Sequence, residues 1–113
     1  MFTPATVKIG SDAIAAAITH LSIHTAGDTS SSGSESTAPR QPIALVSDAN
    51  GNLTAGPISF TGGAANGPAV RYGYWTAASG GTYRGGAMLA GDNAFNAAGE
   101  YVVDSVTETA ASA

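Results

Sequence analysis

Val70-Arg-Tyr-Gly-Tyr-Trp-Thr-Ala-Ala-Ser-Gly-Gly-Thr-Tyr-Arg-Gly-Gly-Ala-Met-Leu89 is the stretch whose reading decides the fold. In an extended chain, successive side chains point to opposite faces. Val70, Tyr72 and Tyr74 then share one face, and Arg71, Gly73 and Trp75 the other. Ala77-Ala-Ser-Gly-Gly81 supplies glycines for the positive φ of a tight turn. Ala69 to Thr76 and Thr82 to Leu89 therefore read as a hairpin, and Gly85-Gly86 predicts a bulge or a close backbone approach. The stretch holds the only tryptophan, three of the four tyrosines and two of the four basic residues.

Outward from this hairpin, the same punctuation recurs. Thr19-His-Leu-Ser-Ile-His-Thr-Ala26 alternates, with Leu21 and Ile23 against His20, Ser22 and His24, as a half-buried strand does. Gln41 to Ala49 and Asn52 to Thr61 flank Asn50-Gly51, the pair suited to a type I′ turn. Pro42 and Pro57 cannot donate to a ladder, which puts them at strand ends or on an edge. Glu100 to Thr107 is a last strand. Gly27 to Pro39 is rich in Ser, Thr and Gly and predicts a mobile, solvent-facing loop.

One helix is expected, Ser11 to Thr19, with Ser11 as N-cap and Ile14 and Ile18 forming its apolar stripe. About two turns cannot stand alone, so this helix must dock. The sum is a mainly β chain, a small antiparallel β-sandwich or barrel with one short N-terminal α-helix. Residues 1–10 read as an extended arm, 11–107 as a single domain and 108–113 as a flexible tail.

Composition sets the core. Of 113 residues, 43% are hydrophobic, but 23 residues are alanine, so large apolar side chains are few. A thin core favours stability shared with neighbouring copies. Charged residues reach only 11%, against about 25% in an ordinary domain, and the net charge is −4. Such a surface suits burial against neighbours. Its sign argues against nucleic acid, which asks for a basic stripe. With no cysteine there is no thiolate metal site, and no apolar run is long enough to span a membrane. Met1-Phe-Thr-Pro4 lacks the basic start of a signal peptide, so synthesis in a cytoplasm without standard export is expected.

No constellation reads as catalytic. His20 and His24 lie four apart on a strand, about 13 Å by the rise per residue, too far to share an ion. Asp48-Ala-Asn-Gly-Asn52 begins like a calcium loop, but Leu53 and Ser59 stand where its Gly and acid belong. Gly-x-Ser-x-Gly is absent, and no Gly-Gly pair leads into Lys-Ser/Thr. No cofactor or metal is therefore expected. Trp75, Tyr72, Tyr74 and Tyr83, with Ile14 and Ile18, are the candidate structural or interface residues. The aromatics carry a second reading, a stacking platform for a sugar.

Two stretches carry a family likeness. Ile18-Thr-His-Leu-Ser-Ile-His-Thr-Ala26 resembles a Thr-His-Leu-Ser-Leu-His-Thr-Ala signature in small proteins of tailed phages, commonly called tail-fibre or minor tail proteins. Tyr72 to Leu89 resembles the same family's second signature, Gly-Leu-Trp-x-Ala-x-x-Gly-Gly-Thr followed by a further Gly-Gly. Arg40-Gln41 after a Gly/Ser loop and Glu100-Tyr-Val-Val103 match in order as well. Gly27-Asp28 departs from the usual Asp-Pro, and Tyr74 replaces a common Leu. The resemblance implies a non-enzymatic virion structural protein, of minor tail or tail-fibre type. The alternatives are a capsid decoration protein and a module for host-surface glycans. It also implies self-assembly, with a trimer as the expectation, and contacts with other virion proteins.

Overall fold

A computed structural model describes residues 1–110. It begins with α1, Pro4–Ala17. Nine strands follow: β1 His20–His24, β2 Gln41–Pro42, β3 Val46–Ser47, β4 Leu53–Ala55, β5 Ile58–Phe60, β6 Arg71–Trp75, β7 Tyr83–Met88, β8 Tyr101–Val103 and β9 Val106–Glu108. They form three antiparallel sheets, ordered β2-β1-β6-β7, β3-β4-β9 and β5-β8. The chain is mainly β with one N-terminal helix, as its alternation implies. It measures 46 × 28 × 22 Å.

All three sheets feed one core. Leu21, Ile23, Tyr72 and Tyr74 come from the first, Leu53 and Val106 from the second, and Ile58, Phe60, Tyr101 and Val103 from the third. Phe95, from the loop after β7, packs its ring edge-on to Tyr101. The hairpin of β6 and β7 pairs as the sequence implies, from Arg71 opposite Met88 to Tyr74 opposite Gly85. Trp75 then faces Tyr83, so Arg84 is the extra residue of a bulge. Gly86 answers the other half of the expectation, since a Cβ there would lie 2.0 Å from the Tyr72 carbonyl oxygen.

Four expectations need correction. The helix starts at Pro4, where an extended arm was expected, and ends at Ala17. Thr3 is the N-cap, its Oγ1 accepting from the Thr6 amide, and Pro4 follows in the first turn, where its missing N–H costs nothing. Ser11 is therefore mid-helix, and its hydroxyl donates to the Gly51 carbonyl. Ile14 and Ile18 do not form a common buried stripe: Ile18 is buried at the C-cap, while Ile14 is 50% exposed.

The Asn50-Gly51 hairpin exists, but not as a type I′ turn. Only Gly51 has positive φ, and its amide closes the turn onto the Asp48 carbonyl. Asp48 explains the choice: its carboxylate accepts the amides of Asn50 and Asn52 and the Asn52 side chain. That fixes the three-residue loop with a left-handed closing glycine.

The expected long strands are cut short, because each changes sheet partway. Gln41 to Ala49 divides into β2 and β3, and Asn52 to Thr61 into β4 and β5. Glu100 to Thr107 divides at Asp104-Ser105, which lies against the Gly56-Pro57 corner between β4 and β5. Two strands thus turn the same corner together. Glu108, placed in the tail by sequence, pairs with Leu53 in β9. The rest of that tail, residues 111–113, lies outside the described residues.

Candidate functional site

The two stretches that carry the family likeness fold as neighbours. β1 pairs with β6 from His20 opposite Trp75 to His24 opposite Arg71. One face of this pair lines the apolar core. The other, expected to be polar and wet, is buried as well: Ser22 and His24 are fully buried, Arg71 is 1% exposed and Trp75 is 7% exposed.

A continuous chain of hydrogen bonds satisfies that buried polar face. Trp75 Nε1 donates to Ser22 Oγ at 2.8 Å. Ser22 Oγ lies 2.6 Å from His24 Nε2. His24 Nδ1 lies 2.7 Å from the Gly33 carbonyl oxygen, which can only accept, so the proton of the neutral ring sits on Nδ1. Ser22 must then donate to Nε2. Indole, hydroxyl and imidazole form one directed relay, with every member partnered. Gly73 makes room for it, since a Cβ there would stand 2.7 Å from His24 Nε2 and 2.7 Å from the Tyr83 ring.

Arg71 completes the cluster. Its Nε donates to the Ala26 carbonyl at 2.6 Å and its Nη2 to those of Ser31 and Gly33 at 2.8 and 2.9 Å. Its Nη1 donates to Tyr83 Oη, which donates in turn to the Thr29 carbonyl. No carboxylate pairs with Arg71 among the described residues. Three loop carbonyls and a phenol take the place of water around the guanidinium.

The loop of Gly27 to Pro39 is therefore not the free loop its composition predicts. Its side chains mostly face solvent, but its carbonyls are clamped onto β1 and β6. Arg40 closes the far end. It grips Glu35 with two nitrogens at 2.9 and 3.1 Å, donates to the Ala77 and Gly80 carbonyls, and stacks its guanidinium 3.4 Å from the Trp75 ring centre. Partly buried guanidinium–indole stacking contributes about 1–2 kcal/mol.

Of the aromatic residues predicted to matter, Trp75 and Tyr83 meet here, edge to face at 5.4 Å. Tyr72 and Tyr74 face the opposite way, into the core, and Tyr74 Oη donates to Glu108. Ile14 and Ile18 belong to a different region, a groove of about 630 Å³ between α1 and the sheets, with Phe2, Leu53, Tyr74 and Gly85 among its walls. Sequence reasoning missed Arg71, Arg40, Ser22 and His24 as a unit. The available signal was an arginine inside an aromatic strand of a charge-poor chain.

Burial pushes the His24 imidazole below its ordinary value, with Arg71 adding to the push and the Gly33 carbonyl opposing it. Burial, then the neighbouring Glu108, raises the Tyr74 phenol far above the usual range. A serine 2.6 Å from an imidazole is the geometry of an activated nucleophile. Here both atoms are sealed beneath the loop and the far imidazole nitrogen meets a carbonyl instead of a carboxylate. The pair holds structure in this closed form.

Among the described residues, no group of three His, Asp or Glu side chains is placed to hold a metal ion. No helix of the described residues is long and apolar enough to cross a membrane. Compared with protein-family models, with curated proteins and with solved structures, the chain matches none of them.

Proposed function

We propose that this chain is a non-enzymatic structural component of a tailed-phage particle, of the minor tail or tail-fibre type. One observation supports the reading above others. The residues that carry the resemblance, Ser22 and His24 of the first stretch and Gly73 and Trp75 of the second, are 53 positions apart at Ser22 and Trp75 yet interlock in one buried cluster. Arg40, which follows the Gly/Ser loop, stacks on the same tryptophan. Scattered chance matches have no reason to converge. Residues that specify one architecture do.

The surface agrees with a life among neighbours. Phe2, just before α1, and Ile9 and Ile14 within it are 65%, 70% and 50% exposed, and the helix's one charged pair, Lys8 and Asp12, is self-neutralised at 2.9 Å. This helix, with the residues just before it, is where we place contacts with further copies, in a trimer, and with other particle proteins. The glycan-binding alternative depended on exposed rings. Trp75, Tyr72, Tyr74 and Tyr101 are buried, which leaves it without a stacking platform on them.

The decisive experiment is quantitative mass spectrometry of purified particles encoded by the same genome. A handful of copies per particle is the expected result. Hundreds of copies, scaling with the major capsid protein, assign it to head decoration instead. Absence from purified particles overturns the structural reading altogether.

A further inference from the structure

No residue of the loop from Thr25 to Ser36 is fully buried, and none of its large side chains is apolar; the buried Ala38 lies beyond its end. Its hold on the molecule is polar: Arg71 grips Ala26, Ser31 and Gly33, Tyr83 grips Thr29, and His24 grips Gly33. Segments with so little apolar burial open at low cost and independently of the core. β1 and β6 have their own anchorage on the opposite face, through Leu21, Ile23, Tyr72 and Tyr74.

We propose that His24 is a proton-operated latch for this loop: the neutral imidazole keeps residues 25–36 closed over β1 and β6, and a proton on Nε2 releases them. The hydrogen-bond inventory supports it, because the charged ring leaves Ser22 only a poorer donor geometry. With Nε2 unprotonated, every donor in the relay has an acceptor. A proton there points at Ser22 Oγ, which already accepts from Trp75. The Ser22 proton must then turn to the Gly73 carbonyl, 3.4 Å away and too distant for a good bond.

The charge inventory points the same way. Facing His24 are Arg71 from β6, the Tyr83 ring from β7 at 6.0 Å, Glu35 near the end of the loop and Arg40 just beyond it. Glu35 is the one carboxylate among them, and both its oxygens are held by Arg40. Arg71 Nη2 and His24 Nδ1 donate to the same Gly33 oxygen. A charged imidazole would thus place a second cation against Arg71, out of water and with no free anion. Lifting Gly33 hydrates both at once. The displacement of the imidazole below its ordinary value has the same origin. The inference does not depend on the phage reading.

The test uses the wild-type chain between about pH 8 and 4.5, bracketing the ordinary imidazole value. Hydrogen exchange, expressed as protection relative to the unstructured rate at each pH, is followed for residues 25–36 and for β1 and β6. NMR follows the His24 ring. Protection of the loop should fall about tenfold or more as His24 titrates, while β1 and β6 stay protected. Trp75, the sole tryptophan, should become more quenchable by acrylamide with the same midpoint. In His24→Gln the loop should stay closed across the range.

Three results overturn the proposal. The loop keeps its protection until the strands unfold; it opens with a midpoint in the carboxylate range instead of with His24; or His24→Gln opens at the wild-type pH. Should the variant not fold, the wild-type NMR titration decides by itself.

Discussion

Ser22 offers one hydroxyl to three neighbours: it accepts from Trp75, donates to His24 and lies 3.4 Å from the Gly73 carbonyl. Ser22→Ala leaves a buried indole N–H and an imidazole nitrogen unpaired, and orphaned buried groups cost about 1–3 kcal/mol. Chemical denaturation followed by Trp75 emission should report a loss of that size. Gly73→Ala should cost about 1–3 kcal/mol by a different route, overpacking against His24 and Tyr83. Ser36 is the control. Its Oγ is buried without a partner, so Ser36→Ala should leave stability unchanged or raise it by up to about 1 kcal/mol. A clear loss there would mean that water or another group satisfies that hydroxyl.

At the scale of elements, α1 is the piece set apart. It meets the rest of the molecule chiefly through Ser11 at the Gly51 turn and Asp12 at Ser47 of β3, leaving most of its surface free. Gly10 sits mid-helix with nothing within 4 Å of where a Cβ would be. Gly10→Ala should therefore stabilise the fold by about 1 kcal/mol, read as a raised melting temperature. The paired substitution Ile9→Glu and Ile14→Glu should leave the fold intact and abolish any dependence of the melting temperature on protein concentration. By sedimentation equilibrium, the proposed assembly predicts an oligomeric wild-type chain and a monomeric double variant. Retained assembly would move the interface elsewhere. The helix also shows where sequence reading stops. Alternation made β1, β6 and β7 legible, and Gly80-Gly81 marked their turn, both with positive φ. Thr3-Pro4 was an equally plain helix start, but Gly10-Ser11 reads as a break unless the docking of Ser11 onto Gly51 is known. The serine-rich loop defeated the reading for a related reason. What orders it is its carbonyl oxygens, which every sequence has, meeting an arginine that the fold delivers from β6.

For the whole molecule, pH is the most informative variable. The His24 imidazole is held below its unfolded value, so the folded state prefers the neutral ring. Stability from this source is complete above about pH 6.5, where both states are neutral. It declines as pH falls from there toward the folded value, because only the unfolded chain binds the proton. The exposed carboxylates of Asp12, Asp28 and Asp48 are held below their ordinary values by local hydrogen bonds. Their stabilisation is lost only as pH drops through the carboxylate range. Melting temperatures should thus fall in two separated steps, and His24→Gln should remove the first while sparing the second.

β1 meets β2 over only two residue pairs and finds its five-residue partner when β6 has been made, and β4 pairs with β9, whose last residue is Glu108. Until those partners emerge, a growing chain has α1, two-residue pairings of β1 with β2 and of β3 with β4, and Leu21 and Ile23, whose core partners Tyr72 and Tyr74 are missing. Pairings this far apart in sequence form slowly, since a long loop must close first. A nascent chain of this protein therefore cannot complete its core during most of its translation. Its core closes late, and a ribosome that stalls before Arg71 releases a fragment whose β1 lacks its main partner.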